Sequence, residues 1–207
     1  MSNVFKSLGI DKIVIASTNI QKIEQIKNLD FFNGIEVLST FDFDMDEVEE
    51  TEDTLEGNAF LKARACYKST GLPSLADDTG FFMNALDGFP GVHCARIAEV
   101  AGGARDYHVA AKIINDKLGD NPDRSCTFSA VLAFVANGLE YIWQGNWHGT
   151  FVYPAMMGDD NRVYNPYFMP RGMSHSYAQG GYTIAYHRMT AIQNLIKKME
   201  LSISEAS

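Results

Sequence analysis

No apolar run in this chain is long enough to cross a bilayer. The longest, residues 130–136, falls far short of the roughly 20 residues that a spanning helix needs. Cysteine is also scarce. Cys66, Cys94 and Cys126 are odd in number and far apart, and they lack the Cys-x-x-Cys spacing of a zinc site. His93, beside Cys94, is the one histidine close to any of them, so buried or reduced thiols in a reducing compartment are expected rather than a disulfide framework. The N-terminus, MSNVFKSLGIDKIVIAS, has neither a long apolar core nor a small-residue cleavage site, which argues against a secretory leader and for a cytoplasmic protein. Bases are outnumbered 17 to 26 by acids, so nothing suggests a basic surface for nucleic-acid backbone. The Walker and Rossmann glycine patterns are missing too, which removes both of those phosphate cradles.

What is present is the balance of a folded enzyme or binding domain: 46% apolar, 12% aromatic and 21% charged residues over 207 positions. The formal net charge of −9 is concentrated rather than spread. Residues 42–56 (DFDMDEVEETEDTLE) hold nine acids and no base; the remaining 17 acids match the 17 bases. Such a run is usually a solvated face, but nine unpaired acids repel one another, and a bound cation would relieve part of that repulsion.

Periodicity predicts a mixed α/β chain without internal repeats or linkers, read as a single domain over residues 1–207. Residues 12–17 form a β-branched run, followed from Asn19 by a helix with Ile20, Ile23 and Ile26 at near-helical spacing. A second strand is expected over 35–38 and a helix over 59–69. A short strand over 74–76 should run directly into Asp77-Asp78-Thr79-Gly80, and another helix is expected over 106–118. Runs at 126–136 and 139–147 flank Asn137-Gly138, the strongest short-range hairpin signal. Residues 156–180 read as an irregular functional loop region, and 187–199 as a closing helix.

Three places invite chemistry. Ser17, Thr18 and Asn19 stand where a strand gives way to a helix, with Lys22 one turn on. Free backbone N–H groups there favour an anion, although an ordinary helix cap explains the same residues. Asp77 and Asp78 are adjacent at the end of a strand; two such carboxylates resist joint ionisation without a cation, and hard ions such as Mg²⁺ take carboxylate oxygens and polarise phosphates. Lys62, Arg96, His187 and Arg188 supply positive groups for an anionic substrate, provided that they converge.

These residues, in order and over nearly the whole chain, resemble the inosine/xanthosine triphosphate pyrophosphatase family. Ala16-Ser17-Thr18-Asn19-Ile20-Gln21-Lys22 is similar to its phosphate-binding turn. Glu49-Glu50-Thr51, Asn58-Ala59 and Lys62-Ala63-Arg64 are similar to its second block, and Ala76-Asp77-Asp78-Thr79-Gly80 to its Ala-Asp-Asp-Ser-Gly signature. Cys94-Ala95-Arg96 and His187-Arg188 resemble its Ser-Ala-Arg and Ser-His-Arg. The resemblance implies an elongated α/β fold, a mixed sheet with flanking helices and two lobes around a central cleft, usually in a homodimer. It implies Mg²⁺-dependent hydrolysis of a nucleoside triphosphate, a non-canonical purine such as ITP, dITP or XTP, to monophosphate and pyrophosphate, with neither nucleic acid nor membrane as partner. Asp78 would be the general base or a metal-activating carboxylate, and Glu50, Asp77 and Asp78 would hold the metal. Ser17, Asn19, Lys22 and Lys62 would grip the triphosphate, His187 and Arg188 would face the base and sugar, and Thr18, Thr79, Arg96, Tyr164 and Asn165 would also bind substrate. Where the family has Phe-Gly-Tyr-Asp-Pro, this chain has Arg162-Val163-Tyr164-Asn165-Pro166; Tyr182 replaces a lysine, Tyr186 a serine and Gly57 a glutamate. Most departures therefore fall in the base-recognition half, which leaves two alternatives to the standard activity: an altered base preference, or a nucleotide-binding paralogue without turnover.

Overall fold

The computed structural model describes residues 4–45, 48–101 and 103–205; Asp46 and Glu47, two of the nine acids in the acidic run, lie outside these. In chain order the elements are α1 (Val4–Ser7), β1 (Lys12–Ile15), α2 (Ile20–Lys27), β2 (Glu36–Ser39), α3 (Leu55–Thr70), β3 (Ser74–Met83), β4 (Pro90–Gly91), α4 (Tyr107–Leu118), β5 (Ser125–Ala136), β6 (Leu139–Phe151), β7 (Phe168–Pro170) and α5 (Tyr186–Glu205). Among the described residues the strands follow the order β2-β1-β3-β5-β6-β7, with β4 beside β3. The sheet is mixed: β1 pairs parallel with β2 and β3, whereas β3 with β4 and β6 with β7 are antiparallel. No helix among the described residues is long and apolar enough to cross a membrane.

Two compact units divide the chain, the first comprising Met1–Asp78, Ala130–Gly145 and Arg188–Ser207, the second Thr79–Ser129 and Asn146–His187. The core of the first unit packs Ile13 and Ile15 of β1, Ile23 and Ile26 of α2, Leu132 and Phe134 of β5, and Ile192, Leu195 and Met199 of α5. Ile20, part of the expected apolar stripe, is instead 59% exposed at the first position of α2. The second unit is built on aromatics: Phe81, Phe128, Phe151, Tyr164, Tyr167, Phe168 and Tyr177 are all buried.

Local chemistry explains the element ends. Asn19 caps α2, its side chain accepting from the Gln21 and Lys22 amides, and Thr54 caps α3 by accepting from Gly57. The α3 helix thus begins four residues before the expected position, because the cap outweighs the helix-breaking tendency of Gly57. Asn137 and Gly138 both have positive φ, 47° and 82°, the type I′ geometry that joins β5 to β6. The expected short strand over 74–76 is a ten-residue strand that carries Asp77-Asp78-Thr79-Gly80 within it, so those residues form no turn. The region 156–180 is irregular in backbone, yet it contributes Tyr164, Tyr167, Phe168 and Tyr177 to the core of the second unit. All three cysteines are free and buried, and burial pushes the Cys66 and Cys126 thiols up, as befits packing residues.

Candidate active site

Parallel pairing of Ile15 with Leu75 sets the turn after β1 beside the middle of β3, and the Ala16 amide donates to the Leu75 carbonyl at 2.8 Å. In the turn, Ser17 is half-buried and Thr18 and Asn19 are exposed. The Ser17 hydroxyl accepts from the Asn19 amide at 3.1 Å, and the Thr40 hydroxyl holds the Ser17 carbonyl at 2.6 Å. The capping role of Asn19 is therefore real, and the turn that it caps faces solvent at the start of α2.

Successive side chains on an extended strand point to opposite faces, and this separates the two adjacent aspartates. The Asp77 carboxylate, with no exposed side-chain surface, is bound through Oδ1 to the Lys22 ammonium and through Oδ2 to Arg188 Nε at 2.7 Å. Burial alone would raise its pKa, but Arg188 and Lys22 together outweigh this and hold it well below the usual carboxylate range. Two protein cations are thus enough to keep Asp77 ionised.

On the other face, Asp78 meets Lys62 and Glu50. Lys62, on α3, directs its three ammonium protons to Glu50 Oε1 at 2.7 Å, Asp78 Oδ1 at 2.8 Å and the Asp77 carbonyl at 2.9 Å. Burial pushes the Asp78 carboxyl up to about 6 against the pull of Lys62 and Lys22, with the Glu50 charge adding to the rise. Glu50, also raised by burial, is brought below its ordinary value by Lys62, Lys22 and a hydrogen bond from Asp78. Two carboxylates held side by side in this way are a donor set that a hard divalent ion can enter, and the Glu50 side chain is 44% exposed. Among the described residues no three His, Cys, Asp or Glu side chains gather as a metal group, so such an ion would draw its other ligands from substrate phosphate and water.

Sequence reasoning missed what places Glu50. Asn58, fully buried, accepts from the Glu52 amide at 3.0 Å and donates to the Glu52 carbonyl at 3.1 Å, which ties the 50–52 segment to the first turn of α3. A Cβ on Gly57 would stand 2.7 Å from Glu52 Cβ, so this glycine lets the segment close on the helix. An asparagine immediately before the predicted helix was the available signal.

The expected residues of the second unit are placed differently. Tyr164 is fully buried, stacks on Phe81 (ring centroids 4.7 Å apart) and donates its hydroxyl to the Cys94 carbonyl at 2.8 Å. This corrects its expected substrate role, since a core ring offers no face to a base. His187 is also buried, stacked on Phe128 with centroids 5.2 Å apart. Asn165 is buried and bonded to Asp160, whose carboxylate also takes the Arg162 guanidinium through Nη2 at 2.7 Å. Arg96 is exposed and Thr79 half-buried. Arg188, expected near sugar and base, belongs to the first unit and lies against Asp77.

Comparison with known proteins gives a consistent result. The family model described as the Ham1 family matches residues 13–198. A dITP/XTP pyrophosphatase of Gluconobacter oxydans is 42% identical over 169 residues, covering 81% of this chain and 79% of the relative. One from Neisseria meningitidis is 34% identical over 204 residues, covering 92% and 98%. Among solved structures, the Staphylococcus aureus Ham1 protein superposes with a TM-score of 0.79 at 29% identity, covering 92% of this chain and 99% of that one.

Proposed function

The chain belongs to the Ham1 family, and on that premise we propose that it is a pyrophosphatase acting on non-canonical purine nucleoside triphosphates of the dITP and XTP kind, releasing monophosphate and pyrophosphate. The observation that carries the reading is the carboxylate pair Glu50 and Asp78, fixed by a single lysine and flanked by Lys22 at a strand-to-helix turn. The small side chains of Ser17, Thr18 and Asn19 receive phosphate oxygens, and Lys22 offsets their charge. Lys62 acts chiefly by holding the carboxylates in register. Asp78 is the proposed general base for the attacking water.

Glu50 and Asp78 are the residues that would hold Mg²⁺, which when bound would offset the negative charge shared by carboxylates and phosphates. Thr79, Arg96 and Asn165 are the proposed contacts to sugar and base, with His187 shaping their surroundings by stacking. The neutral Asn165, bonded to Asp160, supports a looser preference between inosine and xanthosine than a carboxylate at that position would impose. A cytoplasmic homodimer is part of the same reading.

The test is pyrophosphate release from dITP, ITP and XTP against dATP and dGTP, with Mg²⁺ or with EDTA, using Asp78→Asn as control. Turnover of the non-canonical nucleotides, lost in EDTA, is expected. Tight nucleotide binding with no product from any of them would favour the non-catalytic paralogue instead.

A further inference from the structure

The cationic side of the site contains a fourth member that no motif singled out. Lys22 and Gln25 are three residues apart on α2 and so share a helix face. Lys22 binds Asp77 Oδ1, Asp77 Oδ2 accepts from Arg188 Nε at 2.7 Å, and Arg188 Nη1 donates to Gln25 Oε1 at 2.6 Å. The contacts close into a ring that passes from α2 to β3, on to the start of α5 and back to α2, entirely within the first unit. Gln25 gives the guanidinium an acceptor at its far end, which restrains its plane and with it the Asp77 carboxylate that aims Lys22.

We infer that Gln25 is a positioning residue. Through Arg188 and Asp77 it sets the direction of the Lys22 ammonium toward the polyphosphate. The role needs only an acceptor oxygen at that distance, and a neutral one leaves the net positive charge of Lys22, Asp77 and Arg188 intact for the anion. The inference rests on the triphosphate reading above, and it deepens that reading by naming the residue that keeps the phosphate-facing lysine aligned.

The test compares the full-length wild type with Gln25→Met, Gln25→Asn and Gln25→Glu. The assays are kcat and KM for dITP with Mg²⁺, calorimetric affinity for inorganic tripolyphosphate, and thermal melting to fix a temperature at which every chain is folded. Methionine keeps the length but lacks the acceptor, asparagine keeps the amide but stops one methylene short, and glutamate keeps both reach and acceptor. Loss of one charge-assisted hydrogen bond corresponds to about tenfold. The expected result is a roughly tenfold fall in kcat and about tenfold weaker tripolyphosphate binding for the methionine and asparagine variants, with the kcat of the glutamate variant within about threefold of wild type. Asparagine serves alone if the methionine chain does not melt cooperatively. An unchanged kcat in the folded methionine or asparagine variant overturns the inference, as does an equal fall in all three variants. If wild type turns over no nucleotide, the pyrophosphatase reading fails separately, and tripolyphosphate affinity still decides: unchanged binding in the asparagine variant overturns the role of Gln25.

Discussion

Asp77 and Asp78 are neighbours of the same residue type, yet their contributions to stability should depend on pH in opposite directions. Asp77→Asn leaves the nearly buried Arg188, whose side chain is 7% exposed, and Lys22 without their shared anion. The amide oxygen can still accept from Arg188, but its NH₂ group then faces the Lys22 ammonium. Breaking a buried pair in this way costs about 3–5 kcal/mol. For a chain of this size that is a fall in Tm of roughly 6–20 °C. Because the folded-state pKa of Asp77 lies below its unfolded value, its contribution is present above about pH 4 and disappears as pH falls further. Asp78 behaves in the reverse sense. Its carboxyl is raised from 3.8 to about 6 by burial, so the folded state holds the proton more tightly and stability declines as pH rises from about 4 to about 6. Two units correspond to roughly 2–3 kcal/mol. Asp78→Asn removes that penalty and gives up roughly 1.5–3 kcal/mol of hydrogen bonding to the charged Lys62. At pH 7 without metal the two nearly cancel, so the variant should lie within about 1.5 kcal/mol of wild type while losing turnover. Thermal melts in EDTA from pH 4 to 8 measure both. The electrostatic account is refuted if Asp77→Asn melts with wild type at pH 7, or if Asp78→Asn drops alongside it.

Lys62→Met should abolish turnover and make the thermal midpoint more sensitive to Mg²⁺ than in wild type, since a divalent ion would then be the remaining cation for Glu50 and Asp78; melts with and without Mg²⁺ report it. Tyr164→Phe leaves the Cys94 carbonyl without its phenol donor and should cost about 1–3 kcal/mol, visible in urea unfolding, with the KM for dITP unchanged because the ring is core. Val163 has φ at 52°, which costs a β-branched residue about 1–2 kcal/mol. Val163→Gly should consequently be within about 1 kcal/mol of neutral in the same assay, even though it deletes a half-buried side chain.

Much of this was legible in the sequence where local rules decide. The strand, turn and helix from Lys12 to Lys27, the Asn137-Gly138 hairpin and the closing helix all follow from periodicity, caps and turn chemistry. The extent of β3 was not, because Asp-Asp-Thr-Gly has turn composition. Its extension goes with pairing to β1 and β4, and its carboxylates are neutralised by Lys22, Lys62 and Arg188 from elsewhere in the chain. The same distance in sequence hid the ring through Gln25, 163 positions from Arg188. Asn58 was visible only as part of a motif; that it ties down the segment carrying Glu50 depends on two backbone bonds that no periodicity reveals.

The uneven legibility has a physical source in how each unit holds its candidate residues. In the first unit they are fixed by ion pairs and charge-assisted hydrogen bonds, where a carboxylate or an ammonium has no substitute of another type, so the motif keeps its letters: Lys22, Glu50, Lys62, Asp77, Asp78 and Arg188. In the second unit, Tyr164 and His187 are fixed by ring stacking with Phe81 and Phe128. Aromatic packing specifies volume and shape more than identity and tolerates exchange among rings. Tyr182 and Tyr186 illustrate the tolerance: they replace a lysine and a serine of the family pattern, and both rings pack on Trp147, at 5.0 and 5.8 Å. These two departures fall where packing absorbs them. The charge of −9 fits the same logic, because among the described acids of the 42–56 run only Glu50 is drawn into the Lys62 centre, and Glu49 and Glu52 beside it are exposed.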